Sequence, residues 1–257
     1  GAGKRDRDGA DNQRETILPE RIWHRFLTER DRLVFEAAGY GERQGFGTRP
    51  AVLVVDVNKN FTGERPEPIL KMIEKWHNAC GEEGWVAVGH IRRLLQAGRA
   101  KGVPIFYFTG ERRPDGFDSG GWSRKNRRAR QDYALEEIGN ESVPDIAPAP
   151  GDVVIRKQKP SAFFGTPLPS YLIDMKVDTL LVTGVSTSGC VRATVIDGFS
   201  LNYRVAVVEE GCFDRSEASH AINLCDMNAK YADVVGVDET IAYLENLPDE
   251  LFGMRED

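Results

Sequence analysis

The feature that most limits how this chain can fold is a rhythm of short apolar runs separated by stretches of helical periodicity. Ala51–Val57 (AVLVVDV), Val103–Thr109 (VPIFYFT), Val153–Lys157, Thr179–Val185 (TLLVTGV), Arg204–Glu209 and Val234–Val237 read as six strands. Between them, Trp85–Lys101, Val191–Leu201 and Glu217–Lys230 have helical spacing, and Asp238–Glu245 reads as a closing helix. A strand that is apolar at successive positions is buried on both faces. Strands of that kind alternating with helices specify a parallel sheet covered on both sides. The predicted fold is therefore α/β and doubly wound, with a mostly parallel six-stranded sheet and an N-terminal helical extension.

The rest of the chain divides around that rhythm. Residues 1–16 are polar and aperiodic and are expected to form a disordered tail. Residues 17–44 form the extension, where Ile22, Phe26, Leu33 and Ala37 recur at helical spacing until Gly39 and Gly41 end the pattern. Its apolar face needs a partner surface, so a homo-oligomer is expected. Residues 45–257 form the main domain. Two long connections, 58–84 and 110–150, interrupt the alternation, and connections of that length often carry function. The second contains a basic run, Ser123–Arg130 (SRKNRRAR), but a net charge of −6 argues against a nucleic-acid partner. No apolar run approaches the roughly 20 residues that span a bilayer, so no membrane partner is expected. No leader-like segment opens the chain, and the four cysteines contain no Cys-x-x-Cys pair. A cytoplasmic location with free thiols is the expectation.

In an open parallel sheet, ligands bind beyond the carboxyl ends of the strands. Strand one ends in Asp56, strand three in Lys157, and strand four in the turn Gly184-Val185-Ser186-Thr187-Ser188-Gly189-Cys190. An acid, a base and a thiol thus converge on one rim. Asp56 follows an apolar run, where an unpaired carboxylate is costly, and Lys157 is an available partner. Cys190 lies where a helix begins, and free N–H groups there favour a thiolate and a lowered pKa.

The same residues carry a resemblance. The blocks Gly45-Phe46-Gly47-Thr48-Arg49-Pro50 before AVLVVDV, Gly102-Val103-Pro104-Ile105-Phe106-Tyr107, Lys157 with Ser161-Ala162-Phe163, and Gly189-Cys190-Val191-Arg192 occur in order over about 45–245. Together they resemble the isochorismatase-like cysteine hydrolases, and within them the N-carbamoylsarcosine amidase branch. The resemblance implies a triad of Asp56, Lys157 and Cys190, a cis peptide at Val185–Ser186, and an oxyanion hole from the N–H groups of Ser186 and Cys190. It places Arg215 where a substrate carboxylate is bound, although an ion pair with Asp214 is the alternative. Phe61, Trp122 and Phe163 are candidate pocket walls, and a tetramer becomes the favoured assembly. Nicotinamidases of this superfamily carry an Asp-x-His metal motif after strand one. That motif is missing here, and His24, His77, His90 and His220 lack ligand spacing, so no metal and no cofactor are expected. Isochorismatases that cleave a vinyl ether replace the nucleophile, which Cys190 argues against. The implied activity is hydrolysis of a linear amide or carbamoyl C–N bond in a small, carboxylate-bearing molecule through a cysteine thioester. A maleamate-type amidase, or a non-catalytic or redox thiol protein with Cys212 as resolving cysteine, are the alternatives.

Overall fold

The computed structural model describes residues 20–125, 127 and 131–253. The predicted tail and part of the basic run Ser123–Arg130 lie outside the described residues. Six strands, β1 Pro50–Val55, β2 Ile105–Gly110, β3 Val153–Lys157, β4 Thr179–Val185, β5 Arg204–Phe213 and β6 Asp233–Val235, form one sheet in the order β3-β2-β1-β4-β5-β6. Every pairing is parallel. The helices are α1 Glu29–Ala38, α2 Lys59–Thr62, α3 Ile69–Met72, α4 Glu82–Ala100, α5 Gly121–Lys125, α6 Tyr133–Gly139, α7 Leu168–Asp174, α8 Arg192–Ser200, α9 Glu217–Lys230 and α10 Val237–Glu245.

All six residues of β1 are buried, as a central strand covered on both faces requires. Its side chains alternate between two cores. Leu53 and Val55 face a cluster with Leu168, Leu172, Val195 and Leu224, while Val52 and Val54 face one with Ile91, Leu94, Leu95 and Leu244. The chain builds outward from β1 to β3, then returns to place β4 on the other side of β1. The order reverses between β1 and β4, and a crevice opens at such a switch point.

Two elements differ from the sequence expectation. β5 runs on to Phe213, because a register shift between the Val182 and Gly184 pairings lets it bulge and rejoin β4. The single helix expected from residue 17 is broken among the described residues. A 3-10 turn, His24–Phe26, ends at an extended Leu27, and Thr28 then caps α1 in a capping box with Asp31. Of the periodic residues, Ile22, Phe26 and Leu33 are exposed, while Trp23 points into the core.

Candidate active site

The three strand ends meet as the topology requires. Asp56 leaves β1 with φ +57°, a left-handed conformation that few non-glycine residues adopt. Its N–H still bonds Phe108 O at 3.0 Å, so the strand ends there and the chain turns sharply. Lys157 closes β3 in register with Gly110. Its Nζ lies 2.8 Å from Asp56 Oδ2, 3.0 Å from Lys159 O and 3.6 Å from Cys190 Sγ. Beyond β4 the Val185–Ser186 peptide is cis, and a π-helical turn, Thr187–Val191, presents Cys190 before α8 begins.

That turn is fixed from several sides. Asp214 Oδ2 accepts from Ser188 N at 2.9 Å and Ser188 Oγ at 2.6 Å. Thr187 Oγ1 lies 2.7 Å from His220 Nδ1. Thr194 Oγ1 donates to Cys190 O at 2.7 Å and accepts from Ala162 N at 3.0 Å. Gly184 is required at the approach, because a Cβ there would stand 2.1 Å from Val55 O.

Burial sets the protonation state. Burial pushes the Cys190 thiol up to about 12, the Asp56 charge and hydrogen bond add to that, and Lys157 opposes it. This runs against the expectation of a lowered pKa at a helix start: burial and then the adjacent carboxylate outweigh the backbone N–H groups and favour the neutral thiol. For Lys157, burial acts to lower the pKa, but Asp56 and then Cys190 overcome it and hold the ammonium above its ordinary value.

Asp56, Lys157, Ser186 and Cys190 line a cavity of about 370 Å³, with Phe61 and Trp122 also on its wall. Phe163 is not there: it is 7% exposed in the core, beside Tyr203 and against Gly198. Arg215 also stays off the wall. Its Nη2 donates to Asn78 O at 2.5 Å, its guanidinium lies 5.7 Å from the centre of the Phe61 ring, and its contact with Asp214 runs through the backbone N–H. It braces two wall residues rather than facing the cavity. Cys212 is buried in the core, 3.8 Å from Val182 O, and does not line the cavity.

Sequence reasoning missed most of the polar wall. Asn58, Asn60, Arg112, Glu136, Asn140 and Lys159 line the cavity. Asn60 Nδ2 donates to Glu136 O and Asn140 Oδ1, and its Oδ1 accepts from Gln131. Asn58 Nδ2 donates to Thr109 Oγ1, which donates in turn to Asn140 O. Arg112 pairs with Glu136 at 2.8 Å. The one available signal was a cluster of amides two and four residues after the strand-one acid. Among the described residues, no three His, Cys, Asp or Glu side chains cluster as a metal ion would need, and no helix is long and apolar enough to cross a membrane.

Comparison with known proteins agrees with this architecture. The model of the isochorismatase domain matches residues 50–239. N-carbamoylsarcosine amidase from Arthrobacter sp is 34% identical over 227 residues, covering 84% of this chain and 78% of that protein. Maleamate amidohydrolase from Pseudomonas putida is 34% identical over 209 residues, covering 81% and 92%. Among solved structures, N-carbamoylsarcosine amidase from Thermoplasma acidophilum superposes with a TM-score of 0.59 at 27% identity, over 74% of this chain and 97% of that one. The chain belongs to the isochorismatase family.

Proposed function

We propose that the protein hydrolyses a linear amide or carbamoyl C–N bond in a small carboxylate-bearing molecule, with Cys190 as nucleophile. The observation that carries this is the Asp56–Lys157–Cys190 cluster on the cavity wall, with Lys157 Nζ within 3.6 Å of both partners. The two relatives named above support the substrate class, since N-carbamoylsarcosine and maleamate each carry a carboxylate beside the amide.

Because the thiol rests neutral, it needs a base as it attacks. Asp56 takes the Sγ proton while Sγ bonds to the carbonyl carbon. The carbonyl oxygen becomes an oxyanion held by the N–H groups of Ser186 and Cys190. The tetrahedral intermediate collapses, Asp56 returns the proton to the nitrogen, and ammonia leaves a thioester. Water then attacks, giving its proton to Asp56. The C–S bond breaks, and Sγ recovers a proton as the acid departs. A carbamoyl substrate gives a carbamic acid, which falls apart to amine and carbon dioxide. Lys157 keeps its charge throughout and offsets the negative charge that the cluster gathers.

The test is ammonia release from N-carbamoylsarcosine, N-carbamoylglycine, maleamate, ureidoacrylate and nicotinamide, with Cys190→Ser alongside. Turnover of one of the acids, lost in the variant, is expected. Hydrolysis that survives Cys190→Ser would sink the nucleophile assignment. Tetrameric assembly through the exposed Ile22, Phe26 and Leu33 is part of the same proposal, and a monomer by light scattering would refute it.

A further inference from the structure

Hydroxyl groups surround the turn that presents Cys190. Thr187 Oγ1 lies 2.7 Å from His220 Nδ1, and Ser188 Oγ donates to Asp214 Oδ2 at 2.6 Å. Thr194 Oγ1 donates to Cys190 O and accepts from Ala162 N. In the adjoining loop Ser161 Oγ accepts from Phe163 N at 3.1 Å. The Ser186 hydroxyl differs from these: it makes no hydrogen bond among the described residues. Nor is it sealed in the core, since Ser186 is half-buried and lines the cavity beside Gly189 and Cys190. We infer that the Ser186 hydroxyl is a catalytic group that donates a third hydrogen bond to the oxyanion, alongside the N–H groups of Ser186 and Cys190. This rests on the amidohydrolase reading above and adds a side-chain donor to its oxyanion hole.

Position supports the assignment. A Cβ on Gly189 would stand 2.6 Å from Ser186 Oγ and 3.9 Å from Ser186 Cβ. The hydroxyl therefore lies over the Gly189 backbone, next to the peptide that carries the Cys190 N–H. It branches from the residue that carries the other N–H. A side chain at 189 would push the hydroxyl away, so glycine keeps its place open.

Neighbouring donors are already engaged. Gly189 N and Val191 N bond Ser186 O at 3.0 and 3.2 Å, and Ser188 N bonds Asp214 Oδ2 at 2.9 Å. An ammonium has three hydrogens, and Lys157 Nζ has three partners in Asp56 Oδ2, Lys159 O and Cys190 Sγ. It has none left for the oxyanion. A hydroxyl can rotate its proton toward the oxygen as charge develops there. A donor placed in this way acts on the transition state more than on the bound substrate. The hydroxyl keeps its proton throughout, and Asp56 remains the base.

The experiment uses the full chain and two variants, Ser186→Ala and Ser186→Thr. The readouts are kcat and KM for the acid that wild type turns over, and the rate at which methyl methanethiosulfonate thiolates Cys190, followed by peptide mass. That reagent forms a disulfide with Cys190 and releases a sulfinate, so no oxyanion arises. In Ser186→Ala kcat is expected to fall about 100-fold while KM and the thiolation rate hold, and Ser186→Thr to restore most of kcat. A kcat within about twofold of wild type in Ser186→Ala overturns the inference while leaving the amidohydrolase reading intact. A parallel fall in kcat and thiolation also overturns it, because the hydroxyl would then act only through the shape of the turn. Should wild type turn over none of the acids, the amidohydrolase reading fails on them, and an aldehyde decides the hydroxyl's role on its own. The Cys190 S–H adds across the C=O of propionaldehyde, giving a thiohemiacetal whose oxygen sits where the oxyanion would, and this protects Cys190 from thiolation. A half-protecting concentration raised about tenfold in Ser186→Ala supports Ser186 as a donor. An unchanged concentration, or no protection of wild type, overturns it.

Discussion

Lys157 Nζ meets Asp56 Oδ2 at 2.8 Å where the two side chains are 4% and 6% exposed. Removing one partner of such a pair leaves a buried charge without compensation, which costs about 3–5 kcal/mol. Asp56→Ala and Lys157→Met should each lose activity, and the unfolding free energy of each, read from denaturant melts, should fall by an amount in that range. The double variant should recover much of the stability and none of the turnover. If the double variant were as unstable as the sum of the singles, the pair would not be coupled and the charge argument would be wrong.

The cysteines bear on alkaline stability. Burial pushes the thiols of Cys190 and Cys212 up to about 12 and that of Cys225 up to about 11. Above the ordinary thiol range the unfolded chain releases these protons while the folded chain keeps them. The folded state then binds more protons, so stability falls with rising pH. Denaturant midpoints should decline from about pH 9 to about pH 11, and Cys190 should show no thiolate absorbance at neutral pH in the resting enzyme. A thiolate band at neutral pH would show that Cys190 is ionised before substrate arrives, and would remove the role given to Asp56 as base.

Gly139 ends α6 against the amide wall of the cavity. A Cβ there would stand 2.0 Å from Asn60 Oδ1, and Asn60 cannot retreat without breaking its bonds to Glu136, Asn140 and Gln131. Gly139→Ala should cost about 1–3 kcal/mol by overpacking. It should also raise KM, because Glu136 and Arg112 move with the wall. Unchanged stability and KM together would mean that this wall yields freely and does not shape the site.

What the sequence made legible follows from the physics of each part. The β1 run could be read because a strand buried on both faces must be apolar throughout, and the acid that ends it marks the strand end. β4 is buried throughout and has its expected bounds for the same reason, and β3 and α9 also have the bounds expected from the sequence. Asp56, Lys157 and Cys190 are close because the strand ends of a parallel sheet are close. The four short α-helices that the described residues of the two long connections form could not be read. α2 and α3 have four residues each and no amphipathic repeat, and they are held by distant contacts such as Lys59 N to Glu141 O. The Arg112–Glu136 pair joins residues with no sequence pattern between them. Phe61 and Phe163 each follow a candidate catalytic residue within a few positions, and only the fold separates the wall residue from the core residue.

Arg215 gives the sharpest contrast with the sequence expectation. Its guanidinium holds Asn78 O and lies over Phe61, and both of those residues line the cavity while Arg215 does not. Arg215→Ala should therefore loosen the wall for every substrate. KM should rise several-fold, by roughly 1 kcal/mol of lost support, and the rise should be equal for N-carbamoylglycine and its neutral methyl ester. The measurement is KM for both compounds in wild type and in Arg215→Ala. If Arg215→Ala penalised only the acid, Arg215 would have to release Asn78 and turn into the cavity when substrate binds. The carboxylate would then belong to Arg215, as the family resemblance implies.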